Sequence, residues 1–344
     1  MNLPWSHDPT LGREMNPDFA VLTGEAAEQK VKHPEPKGTT TTPVPVWSTV
    51  PSLSVQPIPD YYRLPLLKQP VWIWSVPTYF YVGGLAGGGA VLAAVLHGKR
   101  SLRTLAFICR ILAFVGTTIG PGLLTWDLGK KQRFYNMLRV FRPTSPMSIG
   151  SWALAGSGGL ATLALLQGDR EEGAAVRWAL AGGGLMLAGY TGVLLGNTAN
   201  PLWHGARRSL PVLFTASSMA STAGLLEFLP LNRCEEQVAD RFGVIGKIAE
   251  TASMEIMERE AGRNPVAAKA FEEGTSGLLW KSAKALVVAG TVLSLLPFKA
   301  RWKRRLGGTL TTAGAICLRY ALLEAGRQAA RDPQAVIIEQ RSRR

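Results

Sequence analysis

The chain of 344 residues is 47% hydrophobic and only 18% charged, yet it carries a net charge of +14. In a soluble protein that basic excess would point to nucleic acid. Here most Lys and Arg fall in short connections between long apolar runs, where positive-inside bias and anionic headgroups account for them, so no nucleic-acid partner is called for.

Residues 1–64 are polar and rich in Pro and Thr, as in PEPKGTTTTPVPVWSTVP. They read as an extended or disordered tail, with no apolar core of the kind a cleavable signal peptide has. Two readings stay open: a solvated leader, or an arm that orders on a partner subunit. This tail also keeps the mean hydropathy at +0.10.

Beyond the tail, at least seven runs are long enough to cross a bilayer, which takes about 20 largely apolar residues. They cover 71–96, 104–126, 146–166, 177–196, 209–229, 277–298 and 305–328, and the runs at 71–96 and 146–166 hold no charged side chain. Residues 238–259 have helical periodicity but carry Lys247, Glu250 and Glu255. Hydropathy alone leaves that segment on the surface, although a span enclosed by other helices tolerates paired charges. Residues 334–344 form a charged C-terminal tail. Trp72, Trp74, Trp126, Trp152, Trp178, Trp203, Trp280 and Trp302 fall near run ends, as an interfacial aromatic belt requires. GGLAGGG at 83–89, GSGG at 156–159 and AGGG at 181–184 read as small-residue helix packing, not as phosphate loops.

Cys109, Cys234 and Cys317 form no CxxC pair, and His7, His33, His97 and His204 lie in the tail or at run edges. The chain is therefore expected to hold no haem, no iron–sulfur cluster and no metal site of its own.

The N-terminus, the second connection and the fourth connection share one membrane face. There the unusual polar residues gather. Trp72 and Trp74 open the first run, with Tyr79 one turn further in. Trp126 and Asp127 close the second run. The connection DLGKKQRFYNMLRVFRPTS (127–145) contains Arg133, Tyr135 and Asn136. It looks like a short amphipathic helix, with Phe134, Leu138 and Phe141 on one side, serving as a membrane-surface clamp or as a lid and partner platform. Asn197 and Asn200 end the fourth run, and Trp203 and His204 precede the fifth. The opposite face has only short basic or mixed connections such as HGKRSLR and KARWKRR.

Taken singly, Asp127 reads as a solvated helix end, Asn197 and Asn200 as helix terminators and His204 as an interfacial side chain. Together they fit a redox ligand with polar oxygens and an apolar tail, which needs donors for its oxygens and a proton acceptor beside them. Arg110, Glu250, Arg319 and Glu324 lie within or near hydrocarbon depth, where an unpaired charge costs about 2.5–3.5 kcal/mol or more. Pairing, for example Glu250 with Arg319, is the structural answer; a proton path is the functional one.

The stretch GPGLLTWDLGKKQRFYNMLRVFRPTSPMSIGSW (120–152) resembles the NrfD/PsrC family, the membrane subunits of polysulfide-reductase-like complexes. Its marks are Asp127-Leu128-Gly129, Asn136–Phe141 and Ser145–Ser148. WIWSVPTYFYVGGLAGG (72–88), GNTANPLWH (196–204) and GAICLRYALLEAGRQAARDP (314–333) extend the likeness over about 65–333.

The resemblance implies an all-α bundle of eight transmembrane helices, with 238–259 as the sixth, over a membrane domain at 65–333. It implies an iron–sulfur partner subunit with ferredoxin-like clusters and, in many relatives, a molybdenum- or tungsten-pterin catalytic subunit. Menaquinone or ubiquinone would be the redox partner, with Asp127 near the headgroup, 130–145 against the iron–sulfur subunit and 197–204 lining the pocket. Trp72, Trp74, Tyr79, Trp126, Arg133, Tyr135, Asn136, Asn197, Asn200, Trp203 and His204 are the candidate quinone-binding residues. Arg110, Glu250, Arg319 and Glu324 are the candidate proton path.

The expected role is a multi-pass subunit of the bacterial inner membrane that carries electrons between a quinone pool and a partner's clusters. A secondary transporter and a passive anchor are the rivals. The absence of a clear sequence repeat between the first and last four runs counts against the transporter. A polar tail is most easily left in the cytoplasm, which places both termini there, while KARWKRR on the other face argues for the reverse.

Overall fold

A computed structural model describes residues 66–168, 174–297 and 300–341, all within the unit formed by 61–344. The N-terminal tail and its two readings lie outside the described residues. The described chain is all-α, and seven of its helices are long and apolar enough to cross a membrane. These are α1 (Ser75–Leu96), α2 (Arg103–Asp127), α4 (Pro146–Gln167), α5 (Ala174–Gly196), α7 (Ser209–Leu226), α10 (Gly274–Leu295) and α11 (Arg301–Arg331). Short helices α3 (Phe134–Arg139), α6 (Pro201–Gly205), α9 (Pro265–Ala268) and α12 (Pro333–Arg341) complete one end. The protein is an all-α, multi-pass membrane protein.

Among the described residues the apolar spans number seven, where eight transmembrane helices were expected. The segment expected as the sixth span does form a helix, α8 (Arg233–Ala261), of 29 residues. Its charges keep it outside the length-and-apolarity class. It starts on a capping box in which Asn232 and Glu235 bond each other's backbone amides.

Packing divides the long helices into two rings. In the first, α1 packs on α2, α2 on α4, α4 on α5 and α5 on α1; in the second, α7 packs on α8, α8 on α10, α10 on α11 and α11 on α7. Contacts of α1 and α5 with α7, and of α1 with α11, join them. The order of packing thus repeats where the sequence shows no repeat, because ring closure depends on helix length and order more than on residue identity. The centre lies along α1 and α7, where 72% of the apolar window is buried, against 22% for α10 at the lipid-facing rim.

Small residues set the closest approach. A Cβ on Gly87 would lie 2.6 Å from the Gly184 carbonyl, so α1 and α5 touch only because both positions lack one. The expectation fails at Gly156 and Gly159, where a Cβ would meet nothing within 4 Å.

Three further expectations are corrected. The first helix begins at Ser75, not at 71, and residues 70–73 run as a non-helical strap that leads into Trp74, whose backbone is already helical. The interfacial connection is helical only over a 310 turn (Lys131–Arg133) and Phe134–Arg139. Val140 is extended and ends α3, and Pro143 biases Arg142 towards extended backbone as well. Residues 334–341, read as a charged tail, lie largely in α12, with Ala335 and Val336 buried. Trp74, Trp126, Trp152, Trp178 and Trp302 are exposed as a belt requires, whereas Trp203 and Trp280 are core residues at 1% exposure.

Candidate functional site

The strap at 70–73 and the Trp74 that follows it cross the end of the bundle and are fastened at each step. Arg327 of α11 donates through Nε to the Pro70 carbonyl (3.2 Å) and through a terminal nitrogen to the Trp72 carbonyl. The Trp72 ring stacks on Trp203, with centroids 5.7 Å apart and planes 10° off parallel. The Ile73 amide donates to Oδ1 of Asp127 (3.0 Å), and the Tyr320 hydroxyl donates to the Trp74 carbonyl (3.1 Å). This one segment thereby links α2, α6 and α11.

The turn at 197–204 joins the same end. Asn200 caps α6, accepting from the amides of Leu202 (3.1 Å) and Trp203 (3.4 Å), while its amide group donates to the Gly326 carbonyl (2.7 Å). Trp203 Nε1 donates to the Leu322 carbonyl at 2.9 Å. Arg207 donates to Nε2 of His204 (2.8 Å), so Nδ1 is left as the donor towards Glu339 (2.8 Å).

The structure thus brings Trp72, Trp74, Asp127, Asn200, Trp203 and His204 to one end, as the sequence led one to expect. It also shows what they do there. Asn200, Trp203 and His204 have their polar atoms engaged within the chain. Asp127 tethers the strap through one oxygen. Asn197 is exposed and donates to the Val193 carbonyl (2.9 Å), terminating α5. Tyr79 is in the core, under Gly120 of α2, away from this surface. Trp126, Arg133, Tyr135 and Asn136 are exposed around the 127–145 connection, with Lys131 over the Trp126 ring at 4.6 Å.

Beside the strap lies a cleft of about 290 Å³, lined by Ile73, Trp74, Thr275, Leu279, Tyr320, Leu323, Glu324 and Arg327. Sequence reasoning missed Thr275, Tyr320 and Arg327. The charged pair Glu324–Arg327 (3.0 Å), one turn apart on α11, was the signal available.

The remaining charges lie deeper. Arg319 is buried, donates to the Ser217 hydroxyl and stands over the Phe214 ring at 5.2 Å. Glu250 is wholly buried, and neither carboxylate oxygen meets a hydrogen-bond donor at bonding geometry. The expected direct Glu250–Arg319 pair is not formed; the Ser217 hydroxyl lies within reach of both, and both feel the other's charge. Towards the far end, Lys247 pairs with Glu227 (2.6 Å) and donates to Ser294 (2.8 Å). Arg110 stands apart, in the first ring, donating to the Gly168 carbonyl that ends α4 (2.9 Å).

No curated protein gives a significant match to this chain. A family model described as polysulfide reductase, of the NrfD type, matches residues 60–331. With the strap, the 120–152 stretch and the second ring all inside that match, the chain belongs to the NrfD polysulfide reductase family of membrane subunits.

Proposed function

We propose that this chain is the quinone-interacting membrane subunit of a bacterial inner-membrane oxidoreductase. It exchanges electrons between menaquinone or ubiquinone and the iron–sulfur clusters of a ferredoxin-like partner, which serves a molybdenum- or tungsten-pterin subunit. The supporting observation is the meeting of Trp72, Trp203, Asp127 and Arg327 through the strap at the end that carries an amphiphilic cleft, in a chain of this family. The exposed aromatic and basic connection at 127–145 supplies the partner's docking face. The second oxygen of Asp127, which accepts no hydrogen bond from the described residues, is a proton acceptor at that end.

Asp127→Asn keeps an acceptor for the Ile73 amide. In complex purified with its partners it should slow quinone-linked turnover by about 10²-fold, the scale of a lost acid–base group. Undiminished turnover would leave Asp127 as a tether alone. Absence of any bound quinone or semiquinone signal would sink the quinone reading itself.

The eight-span topology is part of this proposal. At about 1.5 Å per residue, α8 is long enough to cross. It runs beside α7 from Ser209–Glu260 at one end to Glu227–Lys247 towards the other, with Lys247 and Glu250 buried in its middle and Asp240 and Arg241 exposed nearer its start. Cys234 lies in the first turn of α8, ahead of the crossings by α8, α10 and α11, so it should label from the side opposite a Cys placed at position 340. Labelling from one side would remove α8 as a crossing.

Glu250, Arg319 and Glu324 lie along the second ring and support a proton route there; Arg110 is outside it. The repeated packing order favours one second reading, a secondary transporter. Detection of bound quinone separates the two.

A further inference from the structure

Resting on the quinone reading, we infer that the ring binds in the cleft between the strap, the first turn of α10 and the second half of α11, with Thr275 and Glu324 meeting its oxygens. Size is the first argument. The cleft, at about 290 Å³, sits at the small end of ligand pockets, enough for a headgroup without its tail. Its lining is the second. Ile73, Leu279 and Leu323 are apolar and Trp74 offers an aromatic face, while the polar groups come from α10 and α11.

The third argument sorts those polar groups by what they already hold. Arg327 is committed to the Pro70 and Trp72 carbonyls and to Glu324. Tyr320 is committed to the Trp74 carbonyl and Thr78. They are positioning residues that hold the strap as a wall. The Thr275 hydroxyl and Oε1 of Glu324 carry no hydrogen bond to the described residues. A hydroxyl donor and a carboxylate acceptor suit the carbonyl of a quinone and the hydroxyl of a quinol. By contrast, Asn200, Trp203 and His204 have no polar atom left to offer.

The fourth argument is access. At the opposite wall the Ser276 hydroxyl donates to Gln328 (2.5 Å), which ties α10 to α11 beside the cleft. Beyond it α10 is the least buried span, and Leu278, Val288, Val292 and Leu295 are exposed along it. An isoprenoid tail can lie in lipid along that helix while the ring stays at interfacial depth.

The test uses the whole complex with a photoreactive short-chain azidoquinone. Label should fall on peptides covering 273–281 and 318–327, and excess unmodified quinone should suppress it. Label confined to 120–145 or 196–204 would overturn the cleft assignment and leave the quinone reading standing. No label anywhere, with no quinone in the lipid extract, would overturn both. Leu279→Trp fills the cleft, Thr275→Val removes the hydroxyl with little change of shape, and Glu324→Gln removes the proton acceptor. At equal co-purification of partners, Glu324→Gln should lower quinone-linked turnover by about 10²-fold. Leu279→Trp and Thr275→Val should raise the quinone concentration needed for half-maximal rate. Wild-type behaviour of Glu324→Gln and Thr275→Val would overturn the assignment even if Leu279→Trp fails to assemble.

Discussion

The two rings solve the membrane problem differently. The first is held by backbone approach: Gly87 against Gly184, and Gly116 of α2 with Val82 and Ala86 of α1, where an added Cβ would come within 3.0 Å of the Val82 carbonyl. The second buries Lys247, Glu250 and Arg319, with Lys247 held by Glu227 and Ser294 and Arg319 by the Ser217 hydroxyl. All four long helices of the first ring are apolar spans; in the second, α8 is not. The contrast teaches that apolarity is demanded of the surface that meets lipid, not of the whole helix. A helix enclosed by neighbours can carry charge inward if partners receive it.

Breaking the second ring should have the largest effect. Lys247→Met leaves Glu227 buried without its cation and should cost about 3–5 kcal/mol. Thermal unfolding in detergent reads this, and Lys247→Met combined with Glu227→Gln should recover most of the loss. A single variant as stable as the wild type would mean that the pair contributes little. In the first ring, Gly87→Ala forces α1 and α5 apart and should cost about 1–3 kcal/mol. If it does not, the two helices are not in backbone contact. Gly156→Ala is the smallest change. Its Cβ meets open space, so stability should stay within about 0.5 kcal/mol of wild type, or rise slightly through helix propensity.

Much of the candidate site was legible because it is local. Asp127, Asn200 and Trp203 could be placed on one face by counting runs, since each crossing reverses the chain. What those side chains bond was not legible. The partners of Asn200 and Trp203 lie on α11, more than 100 residues away, at Gly326 and Leu322. The strap was read as helix because 71–74 is as apolar as the start of α1. Its partners come from distant elements: Arg327 and Tyr320 of α11 hold its carbonyls and Asp127 of α2 accepts from the Ile73 amide.

The sequence by itself determined that this is a multi-pass helical membrane protein of the NrfD polysulfide reductase family. Run length and apolarity respond to the bilayer, and the motif at 120–152 is contiguous. It also determined which face carries the unusual polar groups. Tertiary structure alone decided that the long helices close into two rings, that α8 buries Lys247 and Glu250 and that Arg319 bonds Ser217. It alone set apart the engaged side chains from those beside the cleft with a polar atom that bonds none of the described residues. The physical reason is that hydropathy is a property of a segment, whereas a charge or a hydrogen-bonding atom is satisfied only by whatever another segment brings to it.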